Sequence, residues 1–189
     1  NVPATLAAVS ATVKGAAPNG VYFSDIKAGK GYYRNSVQTP AASMIKVFIL
    51  AAAYEDIRDG KLSLTETFTL TDKNVVAGSG VLQGMPKGTT VTVKKALDEM
   101  IIHSDNTATN LMIDRLCRDR GNLYLKEHGY KDTTLRRKMM DFDAAKKGAE
   151  NMTTVRDVGL LFKRLYQGKC VSKDLDAQML AIYKAQVDT

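Results

Sequence analysis

Residues 41–58 read Ala41-Ala42-Ser43-Met44-Ile45-Lys46-Val47-Phe48-Ile49-Leu50-Ala51-Ala52-Ala53-Tyr54-Glu55-Asp56-Ile57-Arg58, between Pro40 and the closing pair Asp59-Gly60. This pattern predicts a helix that is apolar on nearly all sides, and such a helix belongs in the interior. Ser43 stands at its entry, and residues three apart share a helix face, which brings Lys46 back under Ser43. A serine hydroxyl is a poor nucleophile until a neighbouring base takes its proton. Lysine is such a base when partly neutral; desolvation lowers its pKa, and Val47-Phe48-Ile49-Leu50 supplies apolar surroundings. The helix start adds free N–H groups and a partial positive end, suited to a developing oxyanion. The competing reading is an ordinary N-cap serine. A second Ser-x-x-Lys, Ser24-Asp25-Ile26-Lys27, lies at a strand end, where positions three apart point to opposite faces. Context therefore selects Ser43.

Working outward, Pro3 to Lys14 reads as a short amphipathic helix ended by Gly15. Val21 to Ile26 and Gly31 to Ser36 flank Lys27-Ala28-Gly29-Lys30 as a β-hairpin. Thr67 to Leu70 is a short strand candidate, and Gly78-Ser79-Gly80 to Gly88 reads as loop. Thr92 caps a helix to about His103, and a second begins near Asn106. Thr154-Val155-Arg156-Asp157 resembles a capping box opening a helix through Gln167, and a last helix runs from Lys173 to about Gln186. An isolated two-stranded sheet is marginal in water, so Val21, Phe23 and Tyr33 require further strands or a helix to cover them.

Ser104-Asp105-Asn106 falls between two of these helices. All three residue types favour helix starts, so a plain cap is one reading. The other has Ser104 relaying a proton to the leaving group, Asn106 offering its amide to a substrate carbonyl or to Lys46, and Asp105 bracing the turn.

The chain has 189 residues, 44% hydrophobic and 25% charged, as expected of one folded domain. The longest apolar run, Val47 to Tyr54, is far short of the ~20 residues that span a bilayer. The net charge of +7 is spread along the chain, dense only at Arg136-Arg137-Lys138 and at Arg115, Arg118 and Arg120. No aromatic-interleaved basic stripe accompanies it, so no specific nucleic-acid partner is expected. Cys117 and Cys170 either pair, if the protein is exported, or stay as two free thiols. With two histidines and no Cys/His cluster, no metal or other cofactor is expected.

Ser43 with Lys46, and Ser104-Asp105-Asn106, resemble the first two signature motifs of the class A β-lactamases and their penicillin-binding relatives, whose third is Lys-Thr-Gly. The likeness extends to Gly78-Ser79-Gly80-Val81-Leu82, to Met100 through Asn110, and to Asn151-Met152-Thr153-Thr154. It implies an α/β (α+β) fold of the β-lactamase/transpeptidase type, with a helical domain and an antiparallel sheet of which this chain holds only the N-terminal hairpin. It implies Ser43 as the acylated nucleophile, Lys46 as its base or proton shuttle, Ser104 as proton relay and Asn106 as a substrate and lysine contact.

Two features depart from the family. The loop that carries the deacylating glutamate corresponds to Leu135–Asn151, and Met139 stands where that glutamate is expected. Asp141, Asp143 or Glu150 can substitute only with suitable geometry; Asp141 alternatively anchors the loop to an arginine. No Lys-Thr-Gly occurs among the 189 residues. The expectation is one domain over 1–189, incomplete at its C-terminus, with 1–40 as helix and hairpin and 41–189 as the helical part. A complementing chain or a domain swap is the alternative source of the remaining strands. The expected function is a serine hydrolase opening β-lactam amides through a Ser43 ester. A slowly deacylating penicillin-binding D,D-peptidase-like protein and a non-catalytic wall-binding domain are the alternatives. Substrates are β-lactams or peptidoglycan-like amides, and the expected location is outside the cytoplasm, in the envelope or beyond.

Overall fold

The order of elements in the computed structural model is β1 (Val21–Asp25), β2 (Lys30–Arg34), β3 (Thr39–Pro40), a 3-10 turn (Ala42–Met44), α1 (Ile45–Arg58) and β4 (Thr67–Thr69). Then follow a second 3-10 turn (Leu82–Gly84), β5 (Thr90–Thr92), α2 (Val93–Ile102), α3 (Asn106–Leu116), α4 (Arg118–Glu127), α5 (Phe142–Lys146), β6 (Met152–Thr153), α6 (Val155–Tyr166) and α7 (Lys173–Lys184). The structure describes residues 19–187 together with Val2, Ala4, Thr5 and Ala8; these four are helical, and the rest of the helix expected over Pro3 to Lys14 lies outside the described residues.

α1 is the axis of the helical body. Every residue from Ile45 to Asp56 is buried, including the charged Lys46, Glu55 and Asp56. The carboxylates at its far end are tolerated because Arg120 of α4 pairs with both, 2.9 Å from Glu55 and 2.8 Å from Asp56, while His128 Nε2 lies 2.6 Å from Glu55. Buried carboxylates need such partners. α4 is absent from the reading of the sequence. Its apolar positions are few and Gly121 interrupts it, so its local pattern is weak; the Arg120 ion pairs and the buried Tyr124 and Leu125 tie it to the body. The two dense basic stretches are engaged in the same way: Arg115 with Glu66, Arg137 with Glu150 and Lys138 with Asp114.

The capping residues read from the sequence act at the expected helix starts. Thr92 Oγ1 accepts from the N–H of Lys95, and Thr154 Oγ1 from that of Asp157. Three antiparallel two-stranded sheets are present among the described residues, β1–β2, β3–β6 and β4–β5. The hairpin runs in register from Val21 opposite Arg34 to Asp25 opposite Lys30. Strands β3 and β6 are two residues each, too short to leave an alternating pattern.

A helix, α6, covers one face of the hairpin. A Cβ at Gly159 of α6 would stand 2.2 Å from the Tyr22 ring, so only glycine permits this approach. Val21 is half-buried. Tyr22 meets the helix; Phe23, on the opposite face by strand alternation, and Tyr33, opposite Tyr22 in register, remain 41% and 56% exposed. Cys117 and Cys170 are both free thiols, the first exposed and the second buried. Among the described residues, no helix is long and apolar enough to cross a membrane, and no group of three or more potential ligands is placed to hold a metal ion.

Candidate active site

Ser43 is exposed in the 3-10 turn that leads into α1, and Lys46, one turn on, is 2% exposed. An accessible serine therefore stands beside a desolvated amine. Ala42, immediately before Ser43, has φ +43, a strained setting for a non-glycine residue and one that marks constrained sites. The N–H of Ala41 donates to the carbonyl of Asn151 at 2.7 Å, which ties the turn to the far end of the 135–151 loop.

The Nζ of Lys46 donates to the Ser104 carbonyl at 2.6 Å, to Ser104 Oγ at 2.9 Å and to Asn106 Oδ1 at 3.0 Å. Three acceptors match the three donors of an ammonium. Ser104 Oγ in turn lies 3.1 Å from Ser43 Oγ. Burial holds the Lys46 pKa down to about 8, with the nearby Asp105 carboxylate opposing that fall. Helical spacing brings Lys46 back under Ser43, and in the structure Ser104 bonds to both. The left-handed backbone of Ser104, φ +51, aims its carbonyl and its hydroxyl at the same ammonium.

The two readings of Ser104-Asp105-Asn106 divide by residue. Asp105 is the cap: Oδ1 accepts from the N–H of Ala108 and Oδ2 from that of Leu82, both at 2.8 Å. Its flanking residues face Lys46. The loop Gly78-Ser79-Gly80 lies against this turn. Both glycines have positive φ, and a Cβ would meet Asn106 Nδ2 at 2.6 Å from Gly78 and Asp105 at 2.2 Å from Gly80. A cleft of about 170 Å³ opens at Ser43, lined by Lys46 and Ser104 and walled by Met44, Val47, Phe162 and Tyr183. Phe162 of α6 and Tyr183 of α7 meet edge to face, with ring centroids 5.1 Å apart. This wall leaves no signal in the sequence, because each residue looks locally like an ordinary core position of its helix.

None of the three acidic residues of the loop lines this cleft. Asp141 caps α5 through the N–H of Ala144 at 3.0 Å, rather than anchoring the loop to an arginine. Asp143 is largely exposed beside Lys146. Glu150 pairs with Arg137 at the loop neck, 2.7 Å from Nη2. Met139 is half-buried, and Asn110 brackets its peptide, accepting from its N–H at 2.7 Å and donating to its carbonyl at 3.1 Å. Asn151, 2% exposed, accepts from the N–H groups of Arg136 and Arg137 and donates to the Arg137 carbonyl. The segments that resemble the family include Asn110 and Asn151, but no local pattern discloses what the two side chains hold, since their partners are distant in the chain.

Chemically, this arrangement can carry a proton from Ser43 to Lys46 through Ser104. A neutral Lys46 keeps two N–H groups for Ser104 O and Asn106 Oδ1 and offers its lone pair to the Ser104 hydroxyl, which then accepts from Ser43. Fold and cluster together set an accessible serine, linked by hydrogen bonds to a buried amine, at the start of a buried helix. The chain belongs to the Beta-lactamase enzyme family, whose model matches residues 3–189. It is similar to β-lactamase AER-1 of Aeromonas hydrophila, at 28% identity over 123 residues, 65% of this chain and 40% of that protein. The crystal structure of a β-lactamase from Sphaerobacter thermophilus superposes with TM-score 0.78 at 29% identity, covering 89% of this chain and 63% of that one. A mutant of PBP-A, solved as an acyl-enzyme complex with penicillin-G, superposes with TM-score 0.79 at 28% identity, covering 90% and 65%. The chain spans about half the length of the curated relatives it matches.

Proposed function

We propose that Ser43 is the nucleophile of a serine hydrolase that opens β-lactam amides and is acylated in the process. The observation that carries this reading is the hydrogen-bonded chain from the exposed Ser43 through Ser104 to the buried Lys46. In the reaction, the Ser43 proton passes to Ser104 as the Ser104 proton passes to Lys46. The Ser43 oxygen bonds to the lactam carbonyl carbon, and on collapse the ring C–N bond breaks and its nitrogen takes a proton back by the same route. Asn106, 6% exposed and already bonded to Lys46, is the substrate-side amide. The penicillin-G acyl-enzyme of PBP-A supports this substrate class.

A second reading concerns the fate of the ester. Asp141, Asp143 and Glu150 are engaged elsewhere and Met139 occupies the loop position, which favours slow deacylation, as in a penicillin-binding D,D-peptidase-like protein. Export and an envelope location follow from a wall-derived substrate, and antibiotic resistance follows only if the ester turns over. Incubating the full-length gene product with a fluorescent penicillin, followed by intact mass measurement, tests the primary reading. An adduct lost in Ser43→Ala supports it, and no adduct, or one that survives that substitution, refutes it. Nitrocefin separates the two fates: sustained turnover marks a β-lactamase, a stoichiometric burst a slow deacylator. Cell fractionation tests the location.

A further inference from the structure

The left-handed backbone of Ser104 aims two groups at Lys46, yet a non-glycine residue holds that conformation only where its surroundings fix it. The residue before it supplies several of those contacts. The His103 N–H donates to the Glu99 carbonyl at 3.2 Å, and its carbonyl accepts from Ser79 Oγ at 2.9 Å. Its ring Nδ1 contacts Glu99 Oε2. The same Glu99 carbonyl accepts the Asp105 N–H at 3.1 Å, so Glu99 grips the turn on both sides of Ser104. Glu99 is 4% exposed, whereas the His103 side chain is one third exposed, at 33%. The ring therefore contributes modest burial; its contact of consequence is the polar one to Glu99.

We infer that His103 is a positioning residue for Ser104, with the Glu99 carboxylate as its anchor. The imidazole–carboxylate contact holds the end of α2 so that the next residue takes its left-handed turn and presents Oγ between Lys46 and Ser43. Lys95 also contacts the Glu99 carboxylate, so removing the imidazole does not leave that buried charge without a partner. The loss then falls on the turn rather than on the core. The inference rests on the proposed acylation only in its kinetic readout.

The experiment compares wild type, H103L and H103N as full-length protein, measuring the rate constant for penicillin acylation per folded molecule together with the thermal midpoint. Asparagine keeps a donor nitrogen near the position of Nδ1, and leucine does not. Expected is a loss of about 10- to 100-fold for H103L, the scale of an ångström-sized misplacement, with the midpoint little changed and most of the rate recovered in H103N. Wild-type acylation by H103L, or H103N as slow as H103L, overturns the inference. H103A replaces H103L if that variant does not fold. If wild type takes no label, the proposed function fails, and crystal structures of wild type and H103L decide the positioning role. Departure of Ser104 from the left-handed region in H103L supports the inference, and an unmoved Ser104 overturns it.

Discussion

The Nζ of Lys46 lies 2.9 Å from the Oγ of Ser104, and it is Ser104, 3.1 Å from Ser43 Oγ, that joins the buried amine to the exposed hydroxyl. In the proposed mechanism, the proton path between nucleophile and base therefore runs through a third side chain.

Removing that link isolates the base. Ser104→Ala is expected to slow acylation by about 10²- to 10⁴-fold, the usual weight of a placed proton-transfer group, while leaving the fold intact. Stopped-flow acylation with a reporter β-lactam, alongside circular dichroism, checks this. An unimpaired S104A protein means that Lys46 acts on Ser43 directly.

The pH dependence follows from the buried lysine. With its pKa held down to about 8 by desolvation, partly opposed by Asp105, the neutral fraction of Lys46 grows through that pH. Acylation is expected to climb with a midpoint near 8. Stability carries the same signature. Between about 8 and the unfolded value of 10.5, the unfolded chain binds more protons at this site than the folded one. Stability therefore rises with pH across that window on Lys46's account, and below it this contribution is flat. Denaturant midpoints for wild type and Lys46→Met test the sign: the rise is lost in the variant.

A carboxylate introduced at Met139 changes the fate of the ester. Asn110 already holds both polar groups of the Met139 peptide, so the loop backbone is set and the side chain is the variable. Met139→Glu is expected to raise the deacylation rate by at least about tenfold, the lower range for a placed general base, with acylation little altered. Decay of the isolated acyl-enzyme, followed by mass, is the measurement. An unchanged lifetime places the limiting feature elsewhere in the loop.

Asn151 closes the neck of that loop with three side-chain hydrogen bonds while its carbonyl takes the N–H of Ala41. Asn151→Ala removes the side-chain partner of three part-buried backbone groups and is expected to cost about 1–3 kcal/mol. Urea denaturation reads the cost, and faster proteolysis between Arg136 and Glu150 locates it.

Gly159→Ala reverses the usual helix rule. Alanine ordinarily stabilises a helix interior by about 1 kcal/mol over glycine. Here the added Cβ would stand 2.2 Å from the base of the Tyr22 ring. Net destabilisation of about 1–3 kcal/mol is expected from overpacking, with hydrogen exchange raised in β1 and β2. A more stable G159A protein shows that the hairpin yields freely.

Whatever depends on near neighbours in the chain was legible from residue order. The buried character of α1, the caps at Thr92 and Thr154, the hairpin and the pairing of Ser43 with Lys46 by helical spacing are all properties of a few consecutive residues. So is the role of Ser104-Asp105-Asn106 as a helix start, realised by Asp105. What the folded chain alone decided came from residues far apart in sequence. Ser104 bonds to both Lys46 and Ser43, in a left-handed turn that meets α2, α3 and the Gly78–Gly80 loop. α4 is held by partners distant in sequence: Arg120 meets Glu55 and Asp56, and Tyr124 and Leu125 enter the core. Asp141, Asp143 and Glu150 are equivalent candidates as letters, but capping, solvent and Arg137 claim them separately. Local spacing specifies which groups can share a helix face; which group a buried amine meets depends on how several elements close around it.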